Sequence, residues 1–317
     1  MSKQGLERNQ FWCYLAGLAA GLLVGLTTPG AANVLELAVW PLLAALLYAT
    51  FLQISLRSIP AAFRDRRFIR TALIGNFGIM PLIVWLITRV VPDDDALRLG
   101  LLLVLLVPCT DWFITFTHLA GGDAARATAL TPVSLVVQLA LLPIYLWLMA
   151  DAELSGVLSA AQIWPAVLVV LCPLALAALT EVWTARAARR ARLARAAAWW
   201  PVPLLALVIF AVAAGHADEV VAAAAVLPVV VAAAGGYLVM SLIVSCLLSR
   251  AVRLPSPQAR TLAFALGTRN SFVVLPVALS LPAGWELTAV VIVMQSLVEL
   301  LGMIGWLRLV PRVLRPR

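Results

Sequence analysis

Charge is scarce in this chain. Asp, Glu, Lys and Arg together make up only 12% of its 317 residues, against 63% hydrophobic residues. A soluble domain of that composition would have nothing to cover its surface, so soluble enzymes and binding modules are excluded. Long polar linkers are also missing. No connection exceeds what is needed to turn between helices, and no extramembrane domain is expected. The segment "MSKQGLERNQ" is short and polar, and no small-residue cleavage site follows it, so the first apolar run is expected to be a retained span. Cysteine is limited to Cys13, Cys109, Cys172 and Cys246, all in or beside apolar runs and none paired by spacing. That excludes a disulfide framework and a zinc site.

What the chain has in abundance is hydrocarbon. Apolar runs of roughly 18–25 residues, the length a helix needs to cross a bilayer, recur from end to end. Ten such spans are expected, at about 11–28, 34–55, 70–91, 97–119, 126–149, 157–180, 199–215, 219–248, 261–281 and 286–307. The net charge of +8 is sorted by loop, which is a topological signal and not a nucleic-acid footprint. Lys3 and Arg8 precede the first span. Arg57, Arg64, Arg66, Arg67 and Arg70 fill the second loop, and Arg186, Arg189, Arg190, Arg192 and Arg195 the sixth. Arg250, Arg253 and Arg260 fill the eighth loop, and Arg308, Arg312, Arg315 and Arg317 the C-terminus. The third loop carries Asp93, Asp94 and Asp95. All the basic loops fall on one side, which puts both termini in the cytoplasm of a cytoplasmic-membrane protein.

An even count with long basic loops near the middle suggests two inverted five-helix repeats, about 10–150 and 157–307, within one transmembrane domain. Two spans are interrupted. In "LLLVLLVPCTDWFITFTHLAGGD", residues 101–123, Pro108, Cys109, Thr110 and Asp111 stop a pure hydrocarbon run. In "LAFALGTRNSFVVLPVALSLP", residues 262–282, Arg269 and Asn270 stand between Gly267 and Pro276. Asp111 and Arg269 lie about half the chain apart, and the two spans run in opposite directions. The expected fold is therefore all-α, with a broken fourth and a broken ninth helix crossing at mid-membrane.

Broken backbone survives in a bilayer only inside protein or along a water-filled cavity, because each unpaired backbone group costs several kcal/mol. Thr110 and Asp111 are suited to cap the half-helix after Pro108. Asp111, Thr115 and His118 recur at helical spacing and share a face, with His118 near the cytoplasmic interface. Cys109 is a soft ligand at the break itself, suited to trivalent arsenic or antimony. An arginine at mid-membrane, such as Arg269, needs a partner, and Asp111 and Glu299 are the candidates. Gln53, Asn76, Gln138 and Gln295 read as hydrogen-bonding glue between helices.

These segments resemble the bile acid/arsenite transporter superfamily, and within it the arsenite efflux permeases. "LVPCTDWFITFTHLAGGDAARATAL" looks like their fourth span, "ARTLAFALGTRNSF" like the broken ninth span of the bile-acid-type members, and "NFGIMP" like a third-span motif. The resemblance implies a panel domain and a core domain, the core holding the crossing of the broken spans. It also places Cys109 at the permeases' required cysteine, and Glu299, in "SLVELLG", at a tenth-span glutamate. The sodium ligands of the bile acid members fall on Ala265, Arg269, Phe113 and Ile114, so both sodium sites are expected to be lost. The glutamate of the permeases' Asn-Asn-Phe-Glu run falls on Val273.

The expected function is secondary-active, proton-coupled efflux of arsenite or a related metalloid. Substrate would meet Cys109, Thr110, Asp111, Arg269, Asn270 and Ser271, with Asp111 or Glu299 carrying the proton. The alternative is bile acid:sodium symporter-like transport of an organic anion, with Arg269 as its counter-ion. No cofactor or resident metal is implied; the partners are the substrate, protons and the bilayer. A receptor would need a signalling domain. An enzyme using Cys109 would need a base nearer than His118, which lies nine residues away on another face.

Overall fold

A computed structural model describes residues 9–55, 59, 63, 65–149, 160–184, 192–193 and 195–315. The topological charges Lys3, Arg8, Arg57, Arg64, Arg186, Arg189, Arg190 and Arg317, and the expected start of the sixth span at 157, lie outside those residues.

The described residues are almost wholly helical. In chain order the helices are α1 (Gln10–Thr27), α2 (Pro29–Phe51), α3 (Arg66–Ile74), α4 (Met80–Val90), α5 (Asp95–Leu106), α6 (Trp112–Leu119) and α7 (Ala124–Met149). They continue with α8 (Ala160–Trp183), α9 (Pro201–Gly215), α10 (Ala217–Ala222), α11 (Leu227–Ala251), α12 (Ser256–Gly267), α13 (Ser271–Leu279) and α14 (Glu286–Val313). A π-helical turn, Gly75–Ile79, joins α3 to α4. Among the described residues, eight stretches are long and apolar enough to cross a membrane: Gln10–Thr27, Val34–Phe51, Arg66–Val90, Ala124–Met149, Trp164–Trp183, Arg195–Gly215, Leu227–Ala251 and Glu286–Val313. The pairs α5/α6 and α12/α13 fall short because each is interrupted. The span expected at 219–248 starts later, with its first residues in the short α10 and a 3-10 turn, Ala223–Ala225.

The chain divides into two compact units. One comprises Met1–Ile54, Gly156–Leu227 and Phe272–Leu297, the other Ser55–Ser155, Pro228–Ser271 and Val298–Arg317. In the first unit, α1 lies against α9 along Gly17, Gly21 and Gly25, one turn apart. A Cβ at Gly17 would stand 2.7 Å from the Ala206 carbonyl oxygen, and one at Gly25 would stand 2.5 Å from that of Ala214. Between lipid-soluble helices there is no hydrophobic drive to associate, so close backbone approach at small residues supplies the contact. Tyr48 Oη and Thr180 Oγ1 are 3.1 Å apart and add a hydrogen bond between α2 and α8.

The second unit is built on aromatic and glycine contacts. Phe264 of α12 stacks on Phe116 of α6 at 6.4 Å and meets Trp306 of α14 edge-on at 5.8 Å. Gly267 gives the Trp306 ring its room, since a Cβ there would lie 2.7 Å from it. Helix starts are capped from the loops. The Asp65 carboxylate accepts from Phe68 N at the start of α3, and that of Asp94 from Leu97 N at the start of α5. Asp123 accepts from Arg126 N near the start of α7. Arg126 in turn donates to Asp65 at 2.6 Å and to Asp123, tying two helix starts together.

Candidate functional site

The two interruptions meet inside the second unit. Val107 is extended (φ −106°, ψ 109°), as a residue before proline prefers to be. Thr268 is extended too (φ −96°, ψ 143°). The two extended segments lie antiparallel, with Pro108 opposite Arg269. Cys109 N donates to Thr268 O at 3.1 Å, and Asn270 N donates to Val107 O at 2.8 Å. Each break thus satisfies backbone groups that the other leaves open. A side-chain bond runs parallel to them, from Asn270 Nδ2 to Thr110 Oγ1 at 3.1 Å. Beyond the crossing two half-helices begin, α6 at Trp112 and α13 at Ser271.

The expected site residues gather at this crossing. Cys109, Thr110, Arg269, Asn270, Ser271 and Glu299 are all buried, and Asp111 is half-buried. The Cys109 sulfur accepts from Asp111 N at 3.4 Å. Asp111 occupies the N-cap position of α6, but its side chain makes no capping bond, so the capping expectation does not hold for it. Asp111, Thr115 and His118 lie on the less buried side of α6, opposite Trp112, Phe113, Phe116 and Thr117, as their spacing predicts. Ala265 and Phe113 are buried hydrocarbon.

Arg269 departs from expectation. It is 1% exposed, yet its guanidinium makes its hydrogen bonds to Asn76 and Leu266, not to Asp111. Nη2 donates to Asn76 Oδ1 at 3.0 Å and to the Leu266 carbonyl. The guanidinium carbon sits 4.8 Å from the centre of the Tyr237 ring, a cation–π contact. Tyr237 is held there by its own bond to Leu266 O at 2.8 Å. Glu299, the second expected partner, is also 1% exposed and accepts from the Arg269 backbone N–H at 3.0 Å. Nε and Nη1 of Arg269 have no hydrogen-bond partner among the described residues.

Asn76 and Tyr237 both contact the Arg269 guanidinium, and neither stands among the site residues expected from the sequence. Asn76 reads from the sequence as an interhelical amide, but it sits in the π-helical turn between α3 and α4, where the backbone widens and its side chain reaches Arg269. The motif "NFGIMP" was the available signal; nothing in the sequence singles out Tyr237. Of the other amides, Gln53 donates to its own turn at Ala49 O, and both polar side-chain atoms of Gln138 are buried without a partner among the described residues.

Among the described residues no group of three His, Cys, Asp or Glu side chains could hold a metal ion. A family model described as the Sodium Bile acid symporter family matches residues 40–223, which is more than half of the chain and includes the first break but not the second. No curated protein matches the sequence.

Proposed function

The chain belongs to the sodium bile acid symporter family, and from that membership we propose that it is a secondary-active transporter of an organic anion. It is a multi-pass membrane protein of a transporter family, with eight stretches among the described residues long and apolar enough to cross a membrane. The interrupted pairs α5/α6 and α12/α13 then complete one crossing each, for ten spans in two inverted repeats in the cytoplasmic membrane, with cytoplasmic termini.

One observation carries the anion reading: two half-helices begin at one crossing, beside a buried arginine. A helix N-terminus presents the positive end of its dipole. Broken helices that aim these ends at a substrate's anionic group are a recurrent device of secondary transporters. Thr110, Asn270 and Ser271 add neutral polar groups there, and Nε and Nη1 of Arg269 retain unused donors. Asp111 and Glu299 are the acids available to carry a coupled proton. No covalent step is assigned to Cys109.

The second reading is efflux of a trivalent metalloid. It rests on Cys109 being the cysteine at the break, with its sulfur oriented by Asp111 N. Both readings are tested on a variant whose other three cysteines are serine, reconstituted in liposomes. Taurocholate is expected to slow maleimide labelling of Cys109 and to accumulate in the liposomes. Protection by arsenite, with no effect of taurocholate, would overturn the anion reading in favour of the metalloid.

A further inference from the structure

We propose that the Arg269 guanidinium is a built-in cation that occupies the place a coupling sodium ion would take, so that this member of a sodium symporter family works without sodium. The inference rests on the transporter reading above and adds to it how the site is charged.

A sodium ion asks for converging oxygen ligands from side chains and backbone carbonyls, with a carboxylate nearby for charge. The second unit contains such a convergence. The Asn76 side-chain oxygen and the Leu266 backbone carbonyl turn toward one point, the Tyr237 ring offers its negative face to the same place, and the Glu299 carboxylate is bound to the backbone N–H of Arg269. All four are groups that attract a cation; the first three meet the guanidinium of Arg269, and Glu299 takes the backbone N–H of the same residue.

The backbone geometry is consistent with a cation site. Leu266 lies in the last turn of α12, where helix carbonyls lose their partners and the dipole is negative. The π-helical turn at Gly75–Ile79 displaces Asn76 from regular helical register. Arg269 curls back to take Leu266 O, three residues before it, so the charge is tethered to the break itself. A mobile ion can bind and leave, but a tethered one cannot. It holds the crossing in the charge state that a bound sodium would otherwise create, and it cannot couple transport to a sodium gradient.

The test uses the purified full-length protein and thermal unfolding, which needs no substrate. Melting is measured in sodium, potassium and choline chloride at equal ionic strength, for the wild type and for Arg269→Ala and Arg269→Lys. The wild type and Arg269→Lys are expected to melt at one temperature in all three salts. Arg269→Ala is expected to melt lower and to recover on the order of 5 °C in sodium or in dilute guanidinium, and none in choline. A sodium-specific rise in the wild type would overturn the proposal, even if no variant could be purified. So would an Arg269→Ala protein indifferent to sodium and guanidinium alike. Loss of the transporter reading would appear instead as absent uptake with these melting results intact.

Discussion

Asn76 is the residue on which the position of Arg269 most depends. A guanidinium has five N–H donors. Among the described residues Nη2 is hydrogen-bonded, to Asn76 Oδ1 and Leu266 O, while Nε and Nη1 are buried without partners. Asn76→Ala therefore removes one of the two acceptors of a charge that is 1% exposed. A hydrogen bond to a charged group contributes about 1.5–3 kcal/mol, and a buried donor stripped of its acceptor belongs at the upper end. At about 2–4 °C per kcal/mol, Asn76→Ala should lower the melting temperature by roughly 6–12 °C. Arg269→Gln removes the charge itself and leaves Asn76 and Leu266 without their donor. The double variant should lose about 1.5–3 kcal/mol less than the sum of the two, because neither partner remains to be deprived. Asp111→Asn combined with Arg269→Gln is the comparison, since Asp111 takes no hydrogen bond from the guanidinium. Its losses should add to within about 0.5 kcal/mol. The assay is thermal unfolding of all variants in one detergent. Additivity in the Asn76 cycle together with coupling in the Asp111 cycle would refute this placement of Arg269.

Three further outcomes are expected. Gly21→Ala puts a methyl group against the Phe210 carbonyl oxygen and 2.9 Å from Ala213 Cβ. It should cost about 1–3 kcal/mol by overpacking, while Gly235→Ala, with open space around it, should not lower the melting temperature. Thr110→Val removes the acceptor of Asn270 Nδ2 and should destabilise by about 1–3 kcal/mol, whereas Thr110→Ser keeps the hydroxyl and should melt within a degree or two of wild type (~1 °C). Burial raises the Asp65 carboxyl, but the hydrogen bonds from Arg126 and Phe68 N and the charges of Arg126 and Arg67 outweigh it and hold it below its ordinary value. Its folded pKa is thus depressed. The stabilisation should be full above about pH 4 and lost as the pH falls through the folded value. A wild-type melting temperature that falls no more steeply below that point than that of Asp65→Asn would contradict this.

The crossing was legible in the sequence because polarity inside a lipid-soluble run is costly and therefore informative. Arg269, Asn270, Thr110 and Asp111 stood out on that ground alone. Proline is a weaker marker. Pro41, Pro132, Pro143, Pro165, Pro173, Pro276 and Pro311 all lie inside continuous helices, so a proline does not by itself decide a break. What distinguishes Pro108 is a second extended segment that takes up the Val107 carbonyl and the Cys109 N–H. No local reading of residues 101–123 contains that segment. The partner of Arg269 is not legible in the sequence for a related reason. Opposite charge drew attention to Asp111, while the acceptor in place is a neutral amide brought round by a π-helical turn that has no strong sequence signature. The Gly17, Gly21 and Gly25 stripe was present in the sequence but went unread, because glycine in an apolar run disturbs neither hydropathy nor charge.

The reciprocal bonds between the two breaks also constrain how the protein is made. Val107 O and Cys109 N find their partners at Asn270 and Thr268, and the side chains of Thr110 and Asn270 that bond beside them are 160 residues apart. At roughly 5–20 residues per second, synthesis needs about 8–32 s to cover that interval. Throughout that time the first break has emerged and the second does not yet exist. In open lipid its unpaired backbone would cost several kcal/mol per group, so residues 107–111 must wait among protein or beside water. The first half of the chain is therefore not a self-sufficient membrane unit; its assembly is completed only when the last third of the polypeptide arrives.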